Sequence, residues 1–306
     1  MGSASKLMKR KSPKVEFLKK KHFFWILGAL GPTVFLFALI RIYPILDVIY
    51  LSFHRYHIIR KHNPFVGLRN YQRLLRDAAF HEAFFNTLQF TILALVITLL
   101  LALLLAVLLK RIERASPVYE AIFYLPVATP WVPASVVWKW IYDPRFGVLN
   151  YFLSFLGISK QAWLSDPHLI LYAIVGVAVW KMLGYFTIIY GVGLRNIPDV
   201  LMDAAEVDGA TSSQRFFYVT LPLLKPIVVF TVVMGTIIFF NLFAPIYVLT
   251  SEAQGAPAYE FKVVVLEIYR NGFQFYRMGY AGAESVALLT FVVALIVMEF
   301  YVLREK

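Results

Sequence analysis

The sequence predicts an all-α integral membrane protein of six transmembrane helices, with a helix–turn–helix on its cytoplasmic face. Three observations predict it. Of 306 residues 60% are apolar, with a mean hydropathy of +0.68, which is more hydrocarbon than one globular core of this length needs. Six apolar stretches recur, at 23–53, 84–109, 118–141, 169–194, 227–249 and 281–303. Each supplies the about 20 residues with which a helix crosses a hydrocarbon core of ~30 Å. Between the fourth and fifth stretches, Pro198, Gly209 and Pro222 punctuate a polar segment where two short helices would begin and end.

An even number of spans puts both termini on one side, and the basic residues choose the side. The segments 1–22, 110–117, 195–226 and 304–306 carry sixteen Lys and Arg in 65 residues, against eleven in 88 for 54–83, 142–168 and 250–280. The denser set is expected to be cytoplasmic. Arg55, Arg60, Lys61, Arg69, Arg73 and Arg76 run against the trend, so the orientation rests mainly on the cluster before the first span. That cluster (Lys6, Lys9, Arg10, Lys11, Lys14, Lys19, Lys20, Lys21) supplies much of the +12 net charge. Its place beside a span points to anionic membrane lipid and not to nucleic acid. The organisation is a basic cytoplasmic tail (1–22), one six-helix domain (23–303) and a cytoplasmic C-terminus (304–306). The first apolar run outlasts a signal-peptide core and has no A-x-A exit, so it reads as a retained helix.

Cysteine is absent, which excludes disulfides, thiol catalysis and cysteine-type zinc sites; the six His have no ligand spacing. The third span holds Pro126, Pro130 and Pro133. Proline frees carbonyls, so either a broken helix beside a pathway or a simple kink fits. Trp25, Trp131, Trp138, Trp140 and Trp163 fall near span ends, as an interfacial belt would place them. Arg41, Lys139, Lys181 and Glu284 are among the charges inside the spans. Arg41 and Lys139 can snorkel, and Glu284 lies near an outer end. Lys181 follows Trp180 near the middle of the fourth span, where an uncompensated charge costs at least ~2.5 kcal/mol. It must face a partner or a water-filled cavity, and a pathway role and a structural ion pair both satisfy that.

In the segment 198–222, Pro198 suits the first turn of a helix, Asp199 and Asp203 favour its positive end, and Gly209 suits the left-handed position after it. Thr211 followed by Gln214 has the form of a capping box, so a second short helix should begin there and stop before Pro222. Ala204 and Ala205 leave the first helix a small-sided surface that another backbone can approach. Leu201, Met202 and Val207 add apolar contacts.

The run Asp203-Ala204-Ala205, then Asp208-Gly209-Ala210, then Phe216-Phe217 and Leu221-Pro222, resembles the EAA loop of binding-protein-dependent ABC importer permeases. Asp203 stands where that pattern has Glu. In order along the chain, Phe65-Val66-Gly67-Leu68-Arg69-Asn70-Tyr71, Asn86-Thr87-Leu88, Tyr124-Leu125-Pro126, Gly147-Val148-Leu149-Asn150 and Trp163-Leu164 resemble its sugar-type branch, which includes the maltose and glycerol-3-phosphate permeases. A late departure is Leu249-Thr250-Ser251-Glu252-Ala253-Gln254-Gly255-Ala256-Pro257, where many relatives read L-T-G-G-P. The resemblance implies that the loop is a coupling helix docking on an ATPase, through Leu201, Met202, Asp203, Ala204, Ala205, Asp208, Gly209 and Ala210. It implies a second homologous permease, two ATP-binding-cassette subunits and an extracytoplasmic solute-binding protein in a bacterial or archaeal cell membrane. It also implies a sugar-contacting region at Asn241 and Tyr247, although a helix–helix hydrogen bond is the favoured fate of Asn241. With these, Trp180, Lys181 and Glu284 complete the candidate pathway set.

No G-x-x-x-x-G-K-[ST] occurs, so ATP and Mg are expected on the partner and no cofactor in this chain. The main alternative is an ion-driven secondary transporter, complete in one chain. It calls for intramembrane carboxylates or paired broken helices, and the two halves show no clear repeat. A membrane-embedded enzyme would need a clustered acid, base and nucleophile, which the sequence does not offer.

Overall fold

A computed structural model describes residue 25 and residues 28–56, 63–112, 116–251 and 261–303. The basic tail 1–22, the C-terminus 304–306, Arg60, Lys61 and 252–260 lie outside the described residues. In chain order, α1 (Gly28–Ser52) and the short α2 (Arg69–Leu74) lead to α3 (Ala78–Lys110), followed by α4 (Ser116–Ala128) and α5 (Trp131–Ile141). Then come α6 (Val148–Phe155), α7 (Ile170–Arg195), α8 (Asp199–Val207), α9 (Ser212–Phe240), α10 (Ala244–Thr250), α11 (Val264–Tyr269) and α12 (Met278–Leu303). Five of these, α1, α3, α7, α9 and α12, are each long and apolar enough to cross a membrane, and α4 with α5 makes a sixth span bent by 96°.

Three boundaries differ from the expected ones, each at proline. The third span is broken after Ala128, because Pro130 is extended (ψ 148°) and disfavours helical backbone at Thr129 before it. The fifth stretch does not run unbroken to 249: α9 ends at Phe240, and α10 restarts with Pro245 in its first turn. The helix starting after Thr211 does not stop before Pro222. It continues through a π turn, Phe216–Thr220, in which the Leu221 N–H bonds the Phe216 carbonyl. That wider turn shifts the carbonyls the Pro222 ring would otherwise strike, so the helix runs on as a membrane span.

α7 is the central helix, buried on most of its circumference and packed on α3, α4 and α9. α3 meets it with small residues, among them Ala94, Ala102 and Ala106, all essentially inaccessible. Small side chains let helix backbones approach closely where hydrocarbon gives no hydrophobic drive. The closest approach is at Gly184, where a Cβ would lie 2.0 Å from the Phe123 carbonyl of α4. Side-chain hydrogen bonds add direction: the buried hydroxyls of Tyr190 and Thr231 at 2.8 Å join α7 to α9, and Thr236 donates to the Glu299 carboxyl at 2.8 Å, joining α9 to α12.

The Gly184 contact leaves no room for a side chain. Gly184→Val should destabilise the chain by about 1–3 kcal/mol through overpacking, read as a lowered midpoint of thermal unfolding in detergent.

Candidate functional site

At one end of the bundle, α7 ends at Arg195 and the chain turns through Pro198 into α8. α8 closes with a Schellman pair: Ala210 N–H bonds the Ala205 carbonyl (2.9 Å) and Gly209 N–H the Glu206 carbonyl (3.0 Å). Gly209 holds the left-handed φ of +78° that this ending needs. The next helix opens with a complete capping box between Thr211 and Gln214. Arg215 pairs with Glu206 across the turn, and Thr220 reaches the Met202 sulfur at 3.7 Å. The elbow is thus fixed from within, and its other face is open. Leu201, Asp203, Ala204, Asp208 and Gly209 are exposed, while Met202, Ala205 and Ala210 are half-buried. Val200 and Val207, 74% and 87% exposed, give this face an apolar edge that none of the described residues covers. Beside it, Arg195 pairs with Glu120 at 2.8 Å and Lys110 Nζ donates to the Leu194 carbonyl at 3.2 Å, around a cavity of about 470 Å³.

The other candidates fall into two groups. Lys181 (2% exposed) and Glu284 (1%) are buried, whereas Trp180, Asn241 and Tyr247 are accessible. Among the described residues Lys181 meets no carboxylate: its ammonium donates to the Pro126, Val127 and Thr129 carbonyls and to Thr129 Oγ1 at the break between α4 and α5. Trp131 lies beside it, with Nζ 5.4 Å from the ring centre. Glu284 accepts both bonds from Asn271 Nδ2, at 3.0 and 3.2 Å, on a π turn (Arg270–Gln274) that follows α11. Asn241 caps α9 by bonding the Ile237 carbonyl of its own helix at 2.7 Å, so the expected bond to another helix is not made.

Tyr247 lies in an aromatic row. It stacks on Phe243 at 5.4 Å, meets Tyr269 edge-on at 5.5 Å, and Tyr269 continues to Phe273. The i, i+4 spacing of Phe243 with Tyr247 and of Tyr269 with Phe273 is a signal the sequence reading passed over. Trp180 sits apart, edge-on to Trp138 at 5.4 Å.

The loop motifs at this end prove to be knots. Asn70 Nδ2 donates to the Ser52, His54 and Gly279 carbonyls, tying α1, α2 and α12 together. Thr87 Oγ1 accepts the Val264 N–H at 3.0 Å, and Asn150 Oδ1 accepts from Gln161 N and Trp163 Nε1. Asp77 caps α3. Burial opposes its ionisation, but bonds from Tyr280 and from the Ala79 and Phe80 amides, with Arg73 nearby, hold its carboxyl below the ordinary value. Among the described residues no three His, Asp or Glu converge as a metal site requires.

Residues 98–304 match the family model of the binding-protein-dependent transport system inner membrane component, and the chain belongs to that family. It is therefore a multi-pass permease of the ABC transporter class. The trehalose/maltose transport system permease protein MalF of Thermococcus litoralis is 32% identical over 255 residues, 83% of this chain and 84% of its own. The probable ABC transporter permease protein YurN of Bacillus subtilis is 31% identical over 267 residues (86% and 90%). The sn-glycerol-3-phosphate transport system permease protein UgpA of Agrobacterium fabrum is 30% identical over 277 residues (90% and 93%). Among solved structures, a bacterial ABC transporter involved in import of the acidic polysaccharide alginate has the same fold, with a TM-score of 0.81 at 24% identity, covering 94% of this chain and 98% of that one.

The capping box gives a local test. Thr211→Ala should cost about 1 kcal/mol at this helix start, seen as faster hydrogen exchange at the Gln214 amide with exchange in α7 unchanged.

Proposed function

We propose that this chain is one permease half of an ATP-driven importer for a carbohydrate-class solute, placed in a bacterial or archaeal cell membrane with both termini cytoplasmic. The exposed elbow at α8 carries the reading. It is braced internally by Arg215–Glu206 and by two completed helix ends, yet it leaves Val200, Leu201, Ala204 and Val207 exposed among the described residues. A rigid, uncovered surface at the end of the central helix suits a docked partner that pushes. The partner would be one of two ATP-binding-cassette subunits, which would hold ATP and Mg. A second homologous permease would complete the pathway, and an extracytoplasmic binding protein would deliver the solute.

In this scheme Leu201, Met202, Asp203, Ala204, Ala205, Asp208, Gly209 and Ala210 form or support the docking face. Trp180, Asn241 and Tyr247 are the accessible pathway candidates. The row from Phe243 to Phe273 offers flat apolar faces of the kind a sugar ring stacks on, which supports a carbohydrate-class solute, as do the names of the relatives. ATP binding on the partner would move α8, and α7 with it, exchanging outward for inward access.

In proteoliposomes, uptake should require the ATPase subunits, ATP and the loaded binding protein. Accumulation by this chain alone on an ion gradient would overturn the reading in favour of a secondary transporter. Asp203→Arg should lower uptake at least about tenfold, equivalent to about 1.4 kcal/mol, with insertion unchanged. Gly209→Pro should do the same, since proline holds φ near −65° and the turn needs a positive φ. Wild-type uptake in both variants would count against docking here.

A further inference from the structure

Proline at position i supplies no N–H to the carbonyl at i−4. In the third span, Pro133 therefore leaves the Thr129 carbonyl without its helical donor, and Pro130 withholds that of the Pro126 carbonyl, which the Thr129 N–H (3.3 Å) and hydroxyl (2.6 Å) answer in part. Those two carbonyls, with Val127 O between them, are the ones that receive Lys181 Nζ. An ammonium on a long stem suits the task, because its three donors have no fixed plane and reach several acceptors at once. Lys181 comes from α7, one turn before Gly184, which meets α4 at the Phe123 carbonyl, so α7 holds the body of α4 as well as the break. The far end of α5 is held as well: Lys139 Nζ donates to the Val248 (3.2 Å) and Ser251 (2.8 Å) carbonyls at the end of α10, the helix that carries Tyr247. α5 is thus pinned to α7 at its start and to α10 at its end.

We propose that Lys181 is a positioning residue for transport: it latches the broken third span to α7, so that a displacement arriving at the α8 end of α7 moves α5 and, through Lys139, the aromatic row at Tyr247. From Arg195 to Lys181 the central helix spans about 21 Å at 1.5 Å per residue, and its packing on α3 keeps it from bending over that length. The loss of Lys181 leaves the Val127 and Thr129 carbonyls without a donor among the described residues, while the Pro126 carbonyl keeps the Thr129 N–H and hydroxyl, and it uncouples α5 from the helix that drives it. The transport part of this inference rests on the ATP-driven reading above; the latch itself does not.

Two measurements test it on the full chain. The sequence has no cysteine, so Tyr124→Cys on α4 and Val136→Cys on α5 take spin labels at two unique positions. In lipid nanodiscs, Lys181→Met should broaden the distance distribution between them. An unchanged distribution overturns the latch, whatever drives transport. In the reconstituted importer, Lys181→Met should lower the ratio of solute imported to ATP hydrolysed by about tenfold, within the usual range of coupling free energies. Adding Pro130→Ala and Pro133→Ala to Lys181→Met returns backbone donors to the Pro126 and Thr129 carbonyls, so thermal stability should rise again while that ratio stays low. A wild-type ratio in Lys181→Met, or recovery of the ratio together with stability in the triple variant, would reduce Lys181 to a filler of hydrogen bonds and overturn the proposal. If the wild-type assembly shows no ATP-driven uptake, the functional reading falls and the label distances alone decide the latch.

Discussion

A carbonyl inside hydrocarbon has no water to bond, and the arrangement of this chain follows from how each exposed carbonyl is answered. At the break in the third span, two prolines withhold their N–H groups; Thr129 answers the Pro126 carbonyl locally, and Lys181 donates from a neighbouring helix to that carbonyl and to those of Val127 and Thr129. Lysines close other helix ends in the same manner: Lys110 at the Leu194 carbonyl near the end of α7, and Lys139 at the end of α10. Each cation lies where the helix dipole is negative, so Coulombic attraction adds to the hydrogen bond. Each also joins two elements that the sequence separates, by 84 residues for Lys110 and Leu194 and by 109 for Lys139 and Val248.

Around these ties the fold divides into a rigid middle and two working ends. The middle is α7 against α3, where alanines and threonines bring the backbones together and Phe90 and Leu99 pack into the same core. One end holds the elbow at α8, stiffened by local bonds and open on its outer face. The opposite end holds the accessible aromatic row and the loop knots at Asn70, Thr87 and Asn150. α7 spans the distance between the two ends, and its terminus runs through a single proline into α8. A push on the elbow therefore has one stiff element to travel through.

The spans, the elbow and its caps were legible because they depend on local signals. An apolar run of about 20 residues, a Thr and Gln three apart, and a Gly after a helix each act within one or two turns of chain. The motifs Asn70, Asn86-Thr87 and Gly147 to Asn150 were visible as a pattern, but their work was not, since each side chain bonds a backbone group far along the sequence or across a turn. The misplaced boundaries have one cause. A proline in a membrane helix breaks it, bends it or is absorbed by a π turn, and the residue itself does not say which: the break at Pro130 is held by Lys181 from another helix, and the π turn before Pro222 lets α9 continue.

Charge in the spans shows the same division. The sequence alone established that Lys181 needed a partner, because the cost of a bare ammonium in hydrocarbon depends only on the residue and its depth. It also determined six spans, the polar elbow and the absence of a nucleotide-binding loop, all of which are properties of composition and short spacing. Which groups answered Lys181, whether Asn241 turned to its own helix, and which pathway candidates remained accessible were decided by tertiary packing. Those outcomes depend on which distant carbonyls and side chains come within three ångströms, a distance that helix crossings set and local spacing does not.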